Sequence, residues 1–153
     1  MYNKPCSSLQ GEWYNNLGSK MEIKQDKNGV LTGLFQTGVS SEPPLPPPSP
    51  LHGFVTTADA KGQSPGACNA LFGFNVAYKN TESMASWSGQ CNVCNGQEIL
   101  STMWILTTRK ASSKDLWDAN RTGADVFTRS PQPIVMCEED PTEAARGRSK
   151  TSR

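Results

Sequence analysis

The sequence predicts an all-β fold: an eight-stranded antiparallel up-and-down barrel over residues 1–129, followed by a disordered C-terminal tail at 130–153. Three observations carry this. Apolar residues alternate with period two, most clearly at Phe72, Phe74, Val76 and Tyr78, the pattern of a strand with one apolar face. Clusters of Asn, Asp, Gly and Pro punctuate the chain between such stretches. No helical pattern of useful length interrupts them. Eight sequential strands joined mostly by short turns are best satisfied by closure, which removes the exposed sheet edges and encloses room for one small ligand.

In order, the first two strands are Gly11–Tyr14 and Lys20–Gln25, separated by Asn15-Asn16-Leu17-Gly18. Asp26-Lys27-Asn28-Gly29 then turns the chain into a row of Leu31, Gly33, Phe35, Thr37 and Val39. The fourth strand is 51–58, the fifth runs to Tyr78, and the sixth, 85–93, ends at Asn95-Gly96, a strong hairpin signal. The seventh carries Leu100, Thr102, Trp104 and Leu106 on one face and Ile99, Met103 and Ile105 on the other. An outer barrel face of that kind points to subunit association. Gly123, Asp125 and Phe127 mark the eighth.

Residues 40–50 hold six of the eleven prolines, a composition that favours polyproline II and reads as a stiff loop between strands three and four. From Ser130 the chain is Pro- and charge-rich, with almost no apolar residue after Met136.

Fifteen Lys and Arg against 14 Asp and Glu leave a net charge of +1, not the basic excess of a nucleic-acid binder. No apolar run is long enough to span a membrane as a helix, and no leader pattern follows Met1; any leader of the natural precursor is expected to be missing from this sequence. The single histidine, His52, excludes multi-histidine metal sites, and no nucleophile signature accompanies it. No catalytic residue, resident metal or cofactor is expected.

Five cysteines, at 6, 68, 91, 94 and 137, suit an oxidising compartment and disulfides better than a zinc site. If Lys79 faces Met84 across the turn between strands five and six, Cys68 falls one residue from the position opposite Cys94, so a Cys68–Cys94 bridge is expected. A local Cys91–Cys94 bridge is the competing pattern. Cys137 is left over.

Strand parity aims Phe35, Tyr78, Trp87 and Trp104 into the barrel together with Thr37, Thr102 and Asp125; Trp13 reads as core. An inward Asp needs a hydrogen-bond partner, and an apolar cavity with a few fixed polar groups is the form of a small-ligand site.

Several ordered motifs now carry a resemblance: Cys6 to Ser19 (CSSLQGEWYNNLGS), Ser49 to Gly53 (SPLHG), Phe72 to Phe74, WSGQC ending at Cys91, TMWIL ending at Leu106, and LWDANRTGADVFTR ending at Arg129. Together they resemble the avidin and streptavidin family over nearly the whole barrel. The resemblance implies secreted, homotetrameric, non-enzymatic barrels that bind biotin. It implies that Asn15 and Ser19 donate to the ureido oxygen, that Asp125 accepts from a ureido NH with Thr37 the partner on the other side of the ring system, and that Trp87 and Trp104 wall the ring and chain. Trp117 is lent to a neighbouring subunit's pocket, and Ser40, Ser41 and Ser83 meet the carboxylate. Leu17, Val39 and Leu106 complete the expected binding set with Phe35 and Tyr78. A Cys6–Cys91 bridge is implied as well. Three positions depart from the family pattern: Phe35 where a tyrosine supplies the third ureido donor, Tyr78 where a tryptophan stands, and Ala85 where a threonine stands. The Gly11-Glu12-Trp13 opening is shared with lipocalins, so a carrier of another small apolar ligand is the alternative, with an extracellular structural module as a third. Asn120-Arg121-Thr122 has the form of an N-glycosylation acceptor, whose use the sequence leaves open.

Overall fold

The computed structural model describes residues 5–41, 43–57 and 70–132. Eight strands, β1 (Gly11–Tyr14), β2 (Lys20–Gln25), β3 (Val30–Gln36), β4 (Ser49–Thr57), β5 (Ala70–Ala77), β6 (Ser83–Cys94), β7 (Gln97–Thr108) and β8 (Asn120–Thr128), form one closed antiparallel barrel in sequence order. One 3-10 helix, Ser113–Asp118, lies between β7 and β8. The expected tail beyond Gln132 lies outside the described residues, but its first part is tied to the barrel: Gln132 Nε2 donates to the carbonyls of Tyr14 (2.7 Å) and Val126 (2.9 Å).

Local chemistry sets the turns. Asp26 Oδ1 accepts from the N–H groups of Asn28 and Val30, both at 2.8 Å, closing the β2–β3 hairpin. Asn95 and Gly96 have φ of 51° and 78°, the paired left-handed conformations of a type I′ turn that matches the strand twist of the long β6–β7 hairpin.

Closure at β1–β8 rests on one strand pair, Tyr14 opposite Thr128. Arg129 reinforces it. Its guanidinium stacks 3.7 Å from the Trp13 ring centroid, donates to the carbonyls of Gln10 (2.8 Å) and Ser8 (3.2 Å) and pairs with Glu98 at 2.8 Å. Beneath it, Trp13, Met21, Ile23, Leu31, Leu51, Leu100 and Phe127 are fully buried and fill one end of the barrel. Trp13 is core, as its sequence context suggests, and its indole N–H reaches the Leu9 carbonyl at 2.8 Å. The other end is left for the site.

Three expectations are corrected. The third strand stops at Gln36, because the Thr37 hydroxyl donates to the Val39 carbonyl (2.7 Å) and accepts from its N–H (3.2 Å), a side-chain turn that withdraws both residues from the ladder. The fourth strand begins at Ser49, two residues early. Pro50 is accommodated because it pairs with Leu34 while the register with β5 starts only at Leu51. Across the β5–β6 turn, Met84 faces Ala77 and not Lys79, since Tyr78 N donates to Ser83 O at 3.2 Å around a five-residue loop containing Asn80 in the left-handed region.

The expected Cys68–Cys94 bridge finds no support at its Cys94 end. Cys94 is a free, exposed thiol, and Cys68 and Cys137 lie outside the described residues. Cys6–Cys91 is formed, with Cα atoms 5.7 Å apart, and ties the N-terminal segment to β6. Peptide mapping without reduction is expected to recover a Cys6–Cys91 peptide. A Cys91–Cys94 peptide in its place would contradict this fold.

Candidate functional site

At the end away from Trp13 the barrel holds a cavity of about 550 Å3. Inward positions supply the walls. Phe35 from β3, Ala85 and Trp87 from β6, Trp104 and Leu106 from β7, and Asp125 from β8 all face it, joined by Tyr78 just beyond β5. Phe35 and Trp87 pack at 4.9 Å between centroids, Trp87 stacks on Phe74 at 5.0 Å, and Phe35 meets Tyr78 edge-on at 6.2 Å. These contacts fix the aromatic faces before any ligand arrives.

The polar groups are few and specifically placed. Asp125 is 6% exposed. Its Oδ2 accepts from the Trp87 indole at 3.3 Å, and its backbone carbonyl accepts from the Thr102 hydroxyl at 2.9 Å. Its Oδ1 is buried with no hydrogen-bond partner among the described residues. A buried acceptor left unpaired costs about 1–3 kcal/mol, more when charged, so this oxygen is held for a donor the chain does not supply. Burial, with the Asp125 charge added to it, pushes the Tyr78 phenol up to about 12; it remains a neutral hydroxyl at physiological pH.

Ser19 and Thr37 face the same cavity. Ser19 Oγ accepts from the Gly38 N–H at 3.0 Å, which leaves its own proton to give. Gly38 can come this close only without a side chain, since a Cβ there would collide with the Leu17 carbonyl oxygen. Thr37 has spent its proton on Val39 and one lone pair on the Val39 N–H, so it can still accept. Asn15 is buried behind this wall. Its Oδ1 accepts from the N–H groups of Leu17 (3.1 Å) and Ser19 (2.9 Å), so Nδ2 is its donor side, although Asn15 is not among the lining residues.

Loops close the mouth. Gln36 Nε2 donates at 3.0 Å to the carbonyls of both Thr37 and Pro46. Ser49 Oγ donates to Pro47 O (3.0 Å) and accepts from Lys79 N (2.9 Å). These four bonds pin the proline run over the opening beside the 78–83 turn, where Ser83 Oγ and Thr108 Oγ1 share a hydrogen bond of 2.9 Å.

Of the residues expected from the sequence, Leu17, Ser19, Phe35, Thr37, Val39, Ser40, Ser41, Tyr78, Ser83, Trp87, Trp104, Leu106 and Asp125 line the cavity. Trp117 does not; it is 85% exposed in the 3-10 helix. Sequence reasoning left out the roof: Pro43, Pro44, Leu45, Pro46 and Pro47 are lining residues. Its composition signals a stiff run but not its place over the cavity. The one constellation of metal-ligand type among the described residues is Cys6, Cys91 and Glu98, and its two sulfurs are joined in the disulfide.

Fold and site together define a closed β-barrel with a small, partly polar cavity at one end. The Avidin family model matches residues 3–130. Avidin of Gallus gallus is 39% identical over 124 residues, covering 80% of this chain and 78% of that one. Among solved structures, xenavidin superposes with a TM-score of 0.72 at 36% identity, covering 81% of this chain and 98% of its own. A chicken protein described as a biotin binding protein gives 0.71 at 39% identity, covering 80% and 97%. The chain belongs to the Avidin family.

Proposed function

We propose that this protein binds biotin in the barrel cavity, without chemistry on it, as a secreted homotetramer. The observation that carries the reading is the orphaned Oδ1 of Asp125. It shares a cavity walled by Phe35, Tyr78, Trp87 and Trp104 with a hydroxyl that can donate, Ser19, and one that can accept, Thr37. A cyclic urea presents the complementary set, two N–H donors flanking one oxygen. Fixed dipoles that meet such a group in a water-poor cavity do not need to reorganise when it binds. An apolar carrier ligand would leave Oδ1 unpaired. Family membership and the description of the chicken relative support the choice of ligand.

Calorimetric titration is expected to give one biotin per chain and a rise in melting temperature. No heat and no thermal shift at saturating biotin, with a response to fatty ligands, would put the lipocalin-like reading in its place.

Self-association is supported by the outer face of β7, where Met103 and Ile105 are 62% and 51% exposed beside Ala124 and Thr122 of β8. A side chain as large as Trp117 gains by burial against a second copy, and its own cavity does not use it. Trp117→Ala is expected to weaken biotin binding about tenfold, about 1.4 kcal/mol, in the tetramer. Light scattering and titration on the same sample check this; a monomer at micromolar concentration with full affinity overturns it.

A further inference from the structure

Resting on the secreted reading above, we propose that Asn120 is an N-glycosylation site, carrying an oligosaccharide through N-acetylglucosamine. Asn120-Arg121-Thr122 is the only Asn-x-Ser/Thr sequence in the 153 residues. The sugar is added to the nascent chain, so the pattern is used without penalty only where the finished fold leaves the asparagine outside. Here it does. Asn120 opens β8 directly behind the exposed 3-10 helix, and Asn120, Arg121 and Thr122 are all exposed. In an extended strand residues two apart share a face, so Asn120 and Thr122 both lie on the outer surface of the barrel, opposite in parity to the buried Asp125.

The side chain is also committed in the compatible way. Asn120 Oδ1 accepts from the Thr107 hydroxyl at 2.7 Å. The bond uses the carbonyl oxygen and leaves Nδ2, the atom that is modified, outside it. In the transfer, Nδ2 forms the bond to C1 of the sugar and loses one proton, the C1–O bond to the lipid pyrophosphate donor breaks, and lipid pyrophosphate leaves. The resulting secondary amide keeps its oxygen and therefore the contact to Thr107.

The position has a consequence for assembly. In the β7–β8 register Asn120 faces Thr107, Thr122 faces Ile105 and Ala124 faces Met103. The sugar therefore borders the apolar strip at its end and does not sit on its centre. It can screen the end of the strip from non-specific contacts while leaving Met103 and Ile105 to meet a second copy.

The test directs the full chain, behind a cleavable leader, into the secretory pathway of cultured animal cells. Wild type is expected to show a single mass step removed by peptide N-glycosidase, with Asn120 converted to Asp. Thr122→Ala is expected to remove the step and Thr122→Ser to keep it. Asn120→Gln serves as a second check, because it also alters the Thr107 contact and so separates a folding defect from loss of the acceptor. Secreted, biotin-binding wild type with unmodified Asn120 overturns this proposal and leaves the binding reading standing. A glycosylated chain that ignores biotin overturns the binding reading and leaves this one.

Discussion

Asp125→Asn and Asp125→Ala are expected to weaken biotin binding, the alanine more, by about 2–5 kcal/mol, the usual loss when one partner of a buried charge-assisted pair is truncated. Asp125 offers two oxygens; the Trp87 indole holds one at 3.3 Å and the other has no partner among the described residues. The asparagine variant keeps only one uncharged acceptor oxygen, which can serve the Trp87 N–H or the ligand N–H but not both, and its NH2 group then faces the other donor. The alanine variant removes the acceptor and leaves the Trp87 N–H unmatched as well. The ligand-free protein is expected to respond in the opposite direction to Asp125→Asn. An orphaned buried carboxylate opposes folding, so the substitution should raise the melting temperature of the empty barrel while it shrinks the shift produced by biotin. Thermal melts with and without ligand, beside calorimetry, read both signs. Equal affinity for wild type and the alanine variant would remove Asp125 from the site and leave its orphaned oxygen without a ligand to explain it.

The barrel was legible because period-two alternation and turn chemistry report the same boundaries. Phe72, Phe74 and Val76 point inward as their spacing requires, and Asn95-Gly96 turns where it should. Register was legible only to within an even number of residues. A shift of two keeps every side chain on its face, so the alternation around Val76 and Ala85 cannot distinguish Met84 facing Lys79 from Met84 facing Ala77. Parity also carried the third row two positions too far. Thr37 is still lining, but as a loop residue held by its own side-chain turn. The proline roof was missed for a different reason. Local composition says that the run is stiff, but its position over the mouth depends on Gln36 and Ser49, whose bonds to Pro46 and Pro47 exist only in the folded chain.

Phe35→Tyr is expected to tighten biotin binding by about 1–3 kcal/mol, mainly through slower dissociation. Phe35 is 2% exposed, faces the cavity, and is clamped by Trp87 at 4.9 Å and by Phe127 and Tyr78 edge-on at 6.5 and 6.2 Å. The ring therefore has little freedom to swing, and a hydroxyl added at its far edge must be satisfied where it stands. In the empty barrel that hydroxyl is a newly buried polar group and is expected to lower the melting temperature slightly. With biotin bound it is expected to join Ser19 as a further donor to the ureido oxygen, whose partial negative charge would grow as Asp125 draws on the opposite N–H. The two substitutions thus have opposite signatures: Asp125→Asn stabilises the empty protein and weakens the complex, while Phe35→Tyr strains the empty protein and strengthens the complex. Stopped-flow or displacement measurement of the dissociation rate decides the matter. An unchanged rate would mean that ordered water already fills the third donor position in the natural protein, and that the affinity lost at Phe35 is smaller than the missing hydrogen bond implies.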